Sequence, residues 1–324
     1  MNALLLEFKE LNDTIRLGTQ SGTDVNDALD RRTAVLSQIS QIVPVSTLAR
    51  PNNDLVLIAA SGTMLFETVP RIVSFTPQVA MAPGVDGAPI HVDLITLNVA
   101  GSSSTVSGSL NALVHLRDTV APTLQKQMDE VARSLISVFA EKDATSGGLA
   151  PMQGLFAWSG GPAFPTAGLV SSGLAGDIHV NPSYDPQDGG SVWRLRDGGA
   201  NGPSYLSNPN GSASYSGRLI DLSIGFDAVQ PYDVSAGLAG QASITSFAEL
   251  SSGWVAGLKS QSSQLAIKTE AKQAAISESL SNAKGVNIDV EMARLGEFEQ
   301  AYQASARLLR AADQMLQDLL EAVG

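Results

Sequence analysis

GVNIDVEMARLGEFEQAYQASARLLRAADQMLQDLL, residues 285–320, carries the most regular pattern in the chain. Leu295, Tyr302, Leu309, Leu316 and Val323 stand seven residues apart, and Phe298, Ser305, Ala312 and Leu319 fill the second position of the same repeat. An apolar seam that recurs with every heptad is narrower than the face of a helix that covers a globular core, and it specifies packing along a partner helix. The small residues Ala301, Ala304, Ser305, Ala306, Ala311 and Ala312 allow that partner a close approach. Asn287 or Asp289 is placed to cap the helix start, and Asp289 and Glu291 suit the positive end of its dipole. The expected helix-packing seam is therefore Leu295, Phe298, Tyr302, Ser305, Leu309, Ala312, Leu316 and Leu319.

Reading back toward the N-terminus, helical character spans residues 246–283 through Phe247, Leu250, Trp254, Leu258, Leu265 and Leu280, with Gly285 as its stop. Residues 144–245 are rich in Gly, Pro, Ser and Asn, and only LFAW, DIHVNP and RLIDLSIGFDAV promise short strands and one helix. A long helix over 108–143 is predicted by the stripe Leu110, Leu113, Arg117, Val120, Leu124, Met128, Val131, Leu135 and Val138, with Pro122 as a kink or a start. GSSSTVSGS, at 101–109, precedes it as a flexible hinge.

Between residues 44 and 107 the runs VSTL, DLVLIAA, MLFET, RIVSF and IHVDLITLN, separated by Pro, Asn and Gly, predict a small antiparallel β-domain. Residues 1–43 hold two helices. Leu4, Phe8, Leu11 and Ile15 mark the first over 2–17, punctuated by Gly18 and Gly22. The second follows Asp24 as N-cap, with Val25, Leu29, Arg32, Leu36, Ile39 and Val43 on one face and Pro44 as its stop. The expected class is α+β, an elongated bundle of long amphipathic or coiled-coil helices with a small inserted β-domain and a Gly/Pro-rich loop region. Its segments are 1–43, 44–107, 108–143, 144–245 and 246–324.

Composition narrows the function. Twenty Lys and Arg against 32 Asp and Glu give a net charge of -12, which argues against a nucleic-acid surface. Aromatic residues are 5% of the chain, so its core is built from Ala, Val, Leu and Ile. The absence of Cys removes disulfides, thiolate metal sites and thiol nucleophiles. MNALLLEFKELN is not a secretory signal, and no apolar run is long enough to span a membrane.

The glycine-rich nucleotide motifs, GxSxG, HExxH and the EF-hand pattern are all missing. His91, His115 and His179 fall in a strand, a helix and a Gly-rich segment, and scattered structural histidines are the favoured reading. Asp185 and Asp188 in NPSYDPQDGG lack calcium-loop spacing and read as turn residues. Trp158, Trp193, Trp254, Tyr184 and Tyr205 could form a carbohydrate platform but better suit loops stapled to the body. No catalytic, cofactor-binding or metal-binding residue is assigned, no cofactor is expected, and the protein is expected not to be an enzyme.

The 285–320 stretch resembles the C-terminal signature of flagellar rod, hook and hook-associated proteins. Gly285, Val286, Asn287, Asp289, Glu291, Met292, Leu295, Gln300, Ala301, Tyr302, Ala304, Ala306, Ala312, Met315 and Leu316 fall on that pattern. NDALDRRTAVLSQISQIV at 26–43 and GSLNALVHLRDTVAPTLQKQMDEVARSLISVF at 108–139 resemble the flagellar hook-associated protein 1 family, and DIHVNPSYDP and LRDGG are closest to its alphaproteobacterial members.

The resemblance implies a structural subunit of the bacterial flagellum at the junction of hook and filament. It also implies self-association in a ring, contact with the hook protein and the next hook-associated protein, and an export chaperone on the C-terminal helix. Nucleic acid and membrane are not among the partners. The expected location is extracellular, reached through the flagellar type III channel without a cleaved signal. The family has a longer N-terminal portion, so the chain reads as N-terminally shortened. Another extracellular axial protein (rod, hook or flagellin-like) and a secreted adhesin-like module are the competing readings.

Overall fold

The computed structural model describes residues 1–78, 81–97, 108–284 and 288–323, the side chains of 283, 284, 288–290 and 316–323 excepted. It divides into two compact units, Met1–Gly253 and Trp254–Gly324. The architecture is mixed α+β, as expected. Most of the 101–109 hinge, Gly285 as a helix stop and Asn287 as a cap lie outside the described residues.

Two antiparallel helices begin the first unit, α1 (Asn2–Ser21) and α2 (Asn26–Ile42). Gly18, expected as punctuation, lies inside α1. A Cβ there would stand 2.3 Å from Val25 Cγ1, so its bare Cα lets the turn into α2 fold back closely. Gly22, at φ 70°, is the residue that ends α1. Asp24 accepts the Asn26 amide at 3.0 Å, from one position outside the cap.

The β-segments form two three-stranded antiparallel sheets. One orders β1 (Val45–Ala49), β2 (Leu55–Ala59) and β3 (Met64–Phe66), and the other β4 (Val73–Phe75), β5 (Ile90–Val92) and β6 (Ile95–Thr96). IHVDLITL therefore makes a hairpin, broken at Asp93 by φ 53°. Leu5, Phe8, Ile15, Ile39, Leu57, Leu65 and Phe66 bury completely in a shared core, with Phe8 edge-on to Phe66 at 5.2 Å. Each such side chain contributes about 1.5–3 kcal/mol.

Arg32, the charged member of the α2 stripe, is buried. Its Nη1 donates to Asn12 Oδ1 at 2.8 Å and to the Asn53 carbonyl, and Asn12 Oδ1 also accepts the Leu55 amide at 3.1 Å. The polar interruption thus joins both helices to the β1–β2 turn, although desolvation pulls the guanidinium pKa down.

The long helix consists of α3 (Ser109–His115), a π-helical turn (Leu116–Val120) and α4 (Ala121–Val138). Pro122 explains the wide turn, because its ring clashes with the carbonyl four residues back and it has no N–H to give. The Ala121 amide accordingly reaches the Leu116 carbonyl, five residues back.

The expected apolar stripe is not the most buried face of α4. Leu124, Val131, Leu135 and Val138 are half-buried, Met128 is exposed, and Leu113 is 62% exposed. Gln127, Asp129, Glu130, Arg133 and Ser134 are buried instead, beside Ala132 and Ile136. Around this polar face fold α5 (Leu174–Asp177), α6 (Arg194–Asp197) and α7 (Gly217–Asp227), with the strand pairs β7 (Phe156–Ala157) with β8 (His179–Val180) and β9 (Gln230–Pro231) with β10 (Gln241–Ala242). LFAW and DIHVNP supply the first pair, and RLIDLSIGFDAV supplies α7. Two helices complete the chain, α8 (Ile244–Lys284) and α9 (Ile288–Val323). The start of α8 closes the first unit, where Phe247 is buried against the Tyr232 ring with centroids 3.9 Å apart.

Candidate helix-packing site

The second unit holds the expected seam. Leu295, Phe298, Tyr302 and Leu309 are 64%, 75%, 78% and 74% exposed, and Ser305 and Ala312 are exposed with them. One unbroken helix therefore places these six on a single stripe in solvent. Leu316 and Leu319 continue its backbone, their side chains outside the description. Asp289, offered as a cap, lies inside the helix.

Ser305 Oγ donates to the Ala301 carbonyl at 2.9 Å, which satisfies its hydroxyl within the helix and leaves the position small. Arg294 pairs with Glu291 at 3.1 Å across one turn. The far part of α8 is similar, with Leu265, Ile267, Ile276 and Leu280 all more than half exposed. Apolar helix faces of this length are stable in water only when something covers them.

Pattern reading missed a different set of residues, those that hold the loop-rich region. Glu141 is fully buried and its carboxylate accepts Tyr184 Oη at 2.8 Å, the Ala200 amide at 2.9 Å and the Asn201 amide at 3.0 Å. Burial, and then the facing carboxylate, push the Tyr184 phenol well above its ordinary range. Asp129 accepts the Gly173 and Ala175 amides at 2.9 and 2.8 Å. Glu130 holds Arg133 at 2.9 Å and accepts the Asp233 amide, while Arg133 donates onward to the Pro231 carbonyl. Gln127 bonds the Ala236 carbonyl and the Ser251 hydroxyl at 3.0 and 2.7 Å. Apart from Arg133, three residues from Glu130, these donors come from 43 to 124 residues away, so no local pattern exposes the acceptors.

The histidines do not meet: His91 lies in β5, His115 ends α3, and His179 sits in β8 against the Asp177 carbonyl. Among the described residues no cluster of three or more His, Asp or Glu could hold a metal. Asp185 caps a turn by accepting the Gln187 amide at 2.8 Å. Tyr184, Tyr205 and Trp158 spend their polar atoms on Glu141, the Ala150 carbonyl and the Ala163 carbonyl. Trp193 alone of the loop-region tryptophans is mostly exposed, with the Arg196 guanidinium 5.1 Å from its ring centroid. No described helix is long and apolar enough to cross a membrane.

Residues 1–151 match the family model described as the flagellar hook-associated protein FlgK helical domain. Residues 280–322, which contain the exposed seam, match the C-terminal model of flagellar basal body rod FlgEFG proteins. Flagellar hook-associated protein 1 of Bacillus subtilis (strain 168) is 21% identical over an alignment covering all of this chain and 64% of its own length. The chain thus spans about two thirds of that relative. The solved structure of the flagellar hook junction protein FlgK from Burkholderia pseudomallei overlaps 49% of this chain and 29% of its own at 21% identity, with a TM-score of 0.34.

Proposed function

Because this chain belongs to the flagellar hook-associated protein 1 family, we propose that it is a structural, non-enzymatic subunit of the junction between flagellar hook and filament. The observation that carries this reading is the exposed heptad stripe of α9, inside the segment that matches the flagellar C-terminal model. A helix that leaves four large apolar side chains in solvent is built for a partner. In this reading the subunits self-associate in a ring, meet the hook protein on one side and the next hook-associated protein on the other, and hand α9 to a chaperone during export. The protein acts outside the cell and leaves through the flagellar type III channel.

The test replaces the chromosomal gene with full-length versions carrying Ala312→Trp, which overfills a close-packed position, or Leu309→Asp, which puts a charge into the seam. Expected are intact hooks, absent filaments and flagellin secreted into the medium. Normal filaments in both strains overturn the seam assignment. A deletion strain that lacks hooks as well assigns the protein to the rod or hook, and one that swims normally but loses adhesion returns it to the binding-module class.

A further inference from the structure

The wide turn at Leu116–Val120 stands where the long helix of the first unit passes from one hydrophobic core to the next. Upstream, Leu110 and Val114 pack on the core of α1, α2 and the sheets, and downstream apolar packing resumes at Val131 and Ala132. None of residues 115–126 is buried. A cleft of about 340 Å³ opens beside the turn, lined by Arg117, Pro122, Lys126, Pro83, Val85 and Ser172.

The polar ties of the turn run to the 81–88 loop. Arg117 is clamped to Asp118 by two bonds of 2.6 and 2.9 Å and donates to the Ala88 carbonyl at 3.0 Å, and the Gly87 amide donates to the Asp118 carboxylate. Gly87 makes room for this arrangement, since a Cβ there would stand 2.2 Å from Arg117 Nε. Among the described residues no backbone–backbone hydrogen bond joins the 81–88 loop to the 171–175 loop, and the two meet by packing, since a Cβ on Gly84 would stand 3.2 Å from Ser172 Oγ.

We infer that the wide turn is a hinge, latched by Arg117 against Gly87 and Ala88, through which the helix-and-sheet body and the loop-rich body change their mutual angle and open or close the cleft. The backbone chemistry offers the Ala121 amide a partner in either of two states. The Ala121 amide bonds the Leu116 carbonyl in the wide turn and can bond the Arg117 carbonyl in an α turn, so the switch loses no hydrogen bond. Pro122 disfavours the α turn by its clash with the Asp118 carbonyl, and without it the α turn wins.

The chain has no Cys, so paired labels on Ser61→Cys and Gln187→Cys read the distance between the bodies cleanly in the full chain. Electron–electron resonance should show a second, longer-distance population in Arg117→Ala and in Gly87→Ala, and a narrowed single population in Pro122→Ala. Gly87→Ala displaces only the tip of a flexible side chain, so it carries the test if Arg117→Ala loses its circular dichroism. The hinge is overturned if the latch variants keep the wild-type distribution, or if Pro122→Ala broadens it as they do.

Discussion

Helix α4 takes Gln127, Asp129, Glu130 and Arg133 into the interior, whereas α9 keeps Leu295, Phe298, Tyr302 and Leu309 in solvent. The two helices invert the usual rule, and each inversion has a physical cause. Around α4 the chain is irregular, so its backbone amides have no ladder to satisfy them, and buried carboxylates and an amide supply the missing acceptors. The stripe of α9 is not covered, although α8 of the same unit carries exposed Leu265, Ile267, Ile276 and Leu280; the seam we propose for it needs a partner helix. Polar burial here builds a fold, and apolar exposure supplies the seam we propose for assembly.

Three experiments break or sharpen this contrast, beginning with the largest effect. Arg133→Met strands Glu130, which is fully buried, without its cation, and should cost about 3–5 kcal/mol in chemical unfolding. A loss below about 1 kcal/mol would show that the polar face of α4 is not what holds the loop-rich region.

The next is acid. Hydrogen bonds from Thr145 and Leu149 hold Asp143 at about 2, and Ser159, Arg196 and the Ser235 amide likewise pull Asp177, Asp197 and Asp233 below the usual 3.8. With depressed folded values, the unfolded chain binds more protons below 3.8, so this support is complete above about pH 4 and withdrawn as pH falls toward 2. Trp158 and Trp193 lie in this region and no Trp lies before residue 158, so their emission should change at higher pH than amide protection in α1 is lost. Coincident transitions would contradict a separate, acid-sensitive framework.

The smallest effect is expected on α9. Leu309→Ser should change the stability of the first unit by less than about 0.5 kcal/mol, since the side chain is 74% exposed, while abolishing assembly into flagella. A large loss of stability in the isolated chain would place Leu309 in a core.

Much of this architecture was legible beforehand because its signals are local. Phe8, Ile15 and Ile39 face one core on a helical period, VSTL and DLVLIAA became β1 and β2, and the heptads of α9 form one uninterrupted helix. The loop-rich region was not legible in the same way. Glu141 stands beside Lys142 and Asp143 at the end of the expected 108–143 helix with no spacing that marks it, yet its carboxylate sits at the centre of four hydrogen bonds. Arg32 looked like an interruption of a stripe, and Pro122 like a kink or a start, until their distant neighbours were known.

The sequence by itself determined the apolar periodicities, the strand runs and the flagellar signature, because each depends on residues within a few turns or a few strands of one another. Only the tertiary structure decided which face of α4 is inside and which amides its carboxylates meet. Those outcomes depend on backbone donors brought from tens of residues away, and a hydrogen bond to a distant amide leaves no mark on the local spacing of side chains.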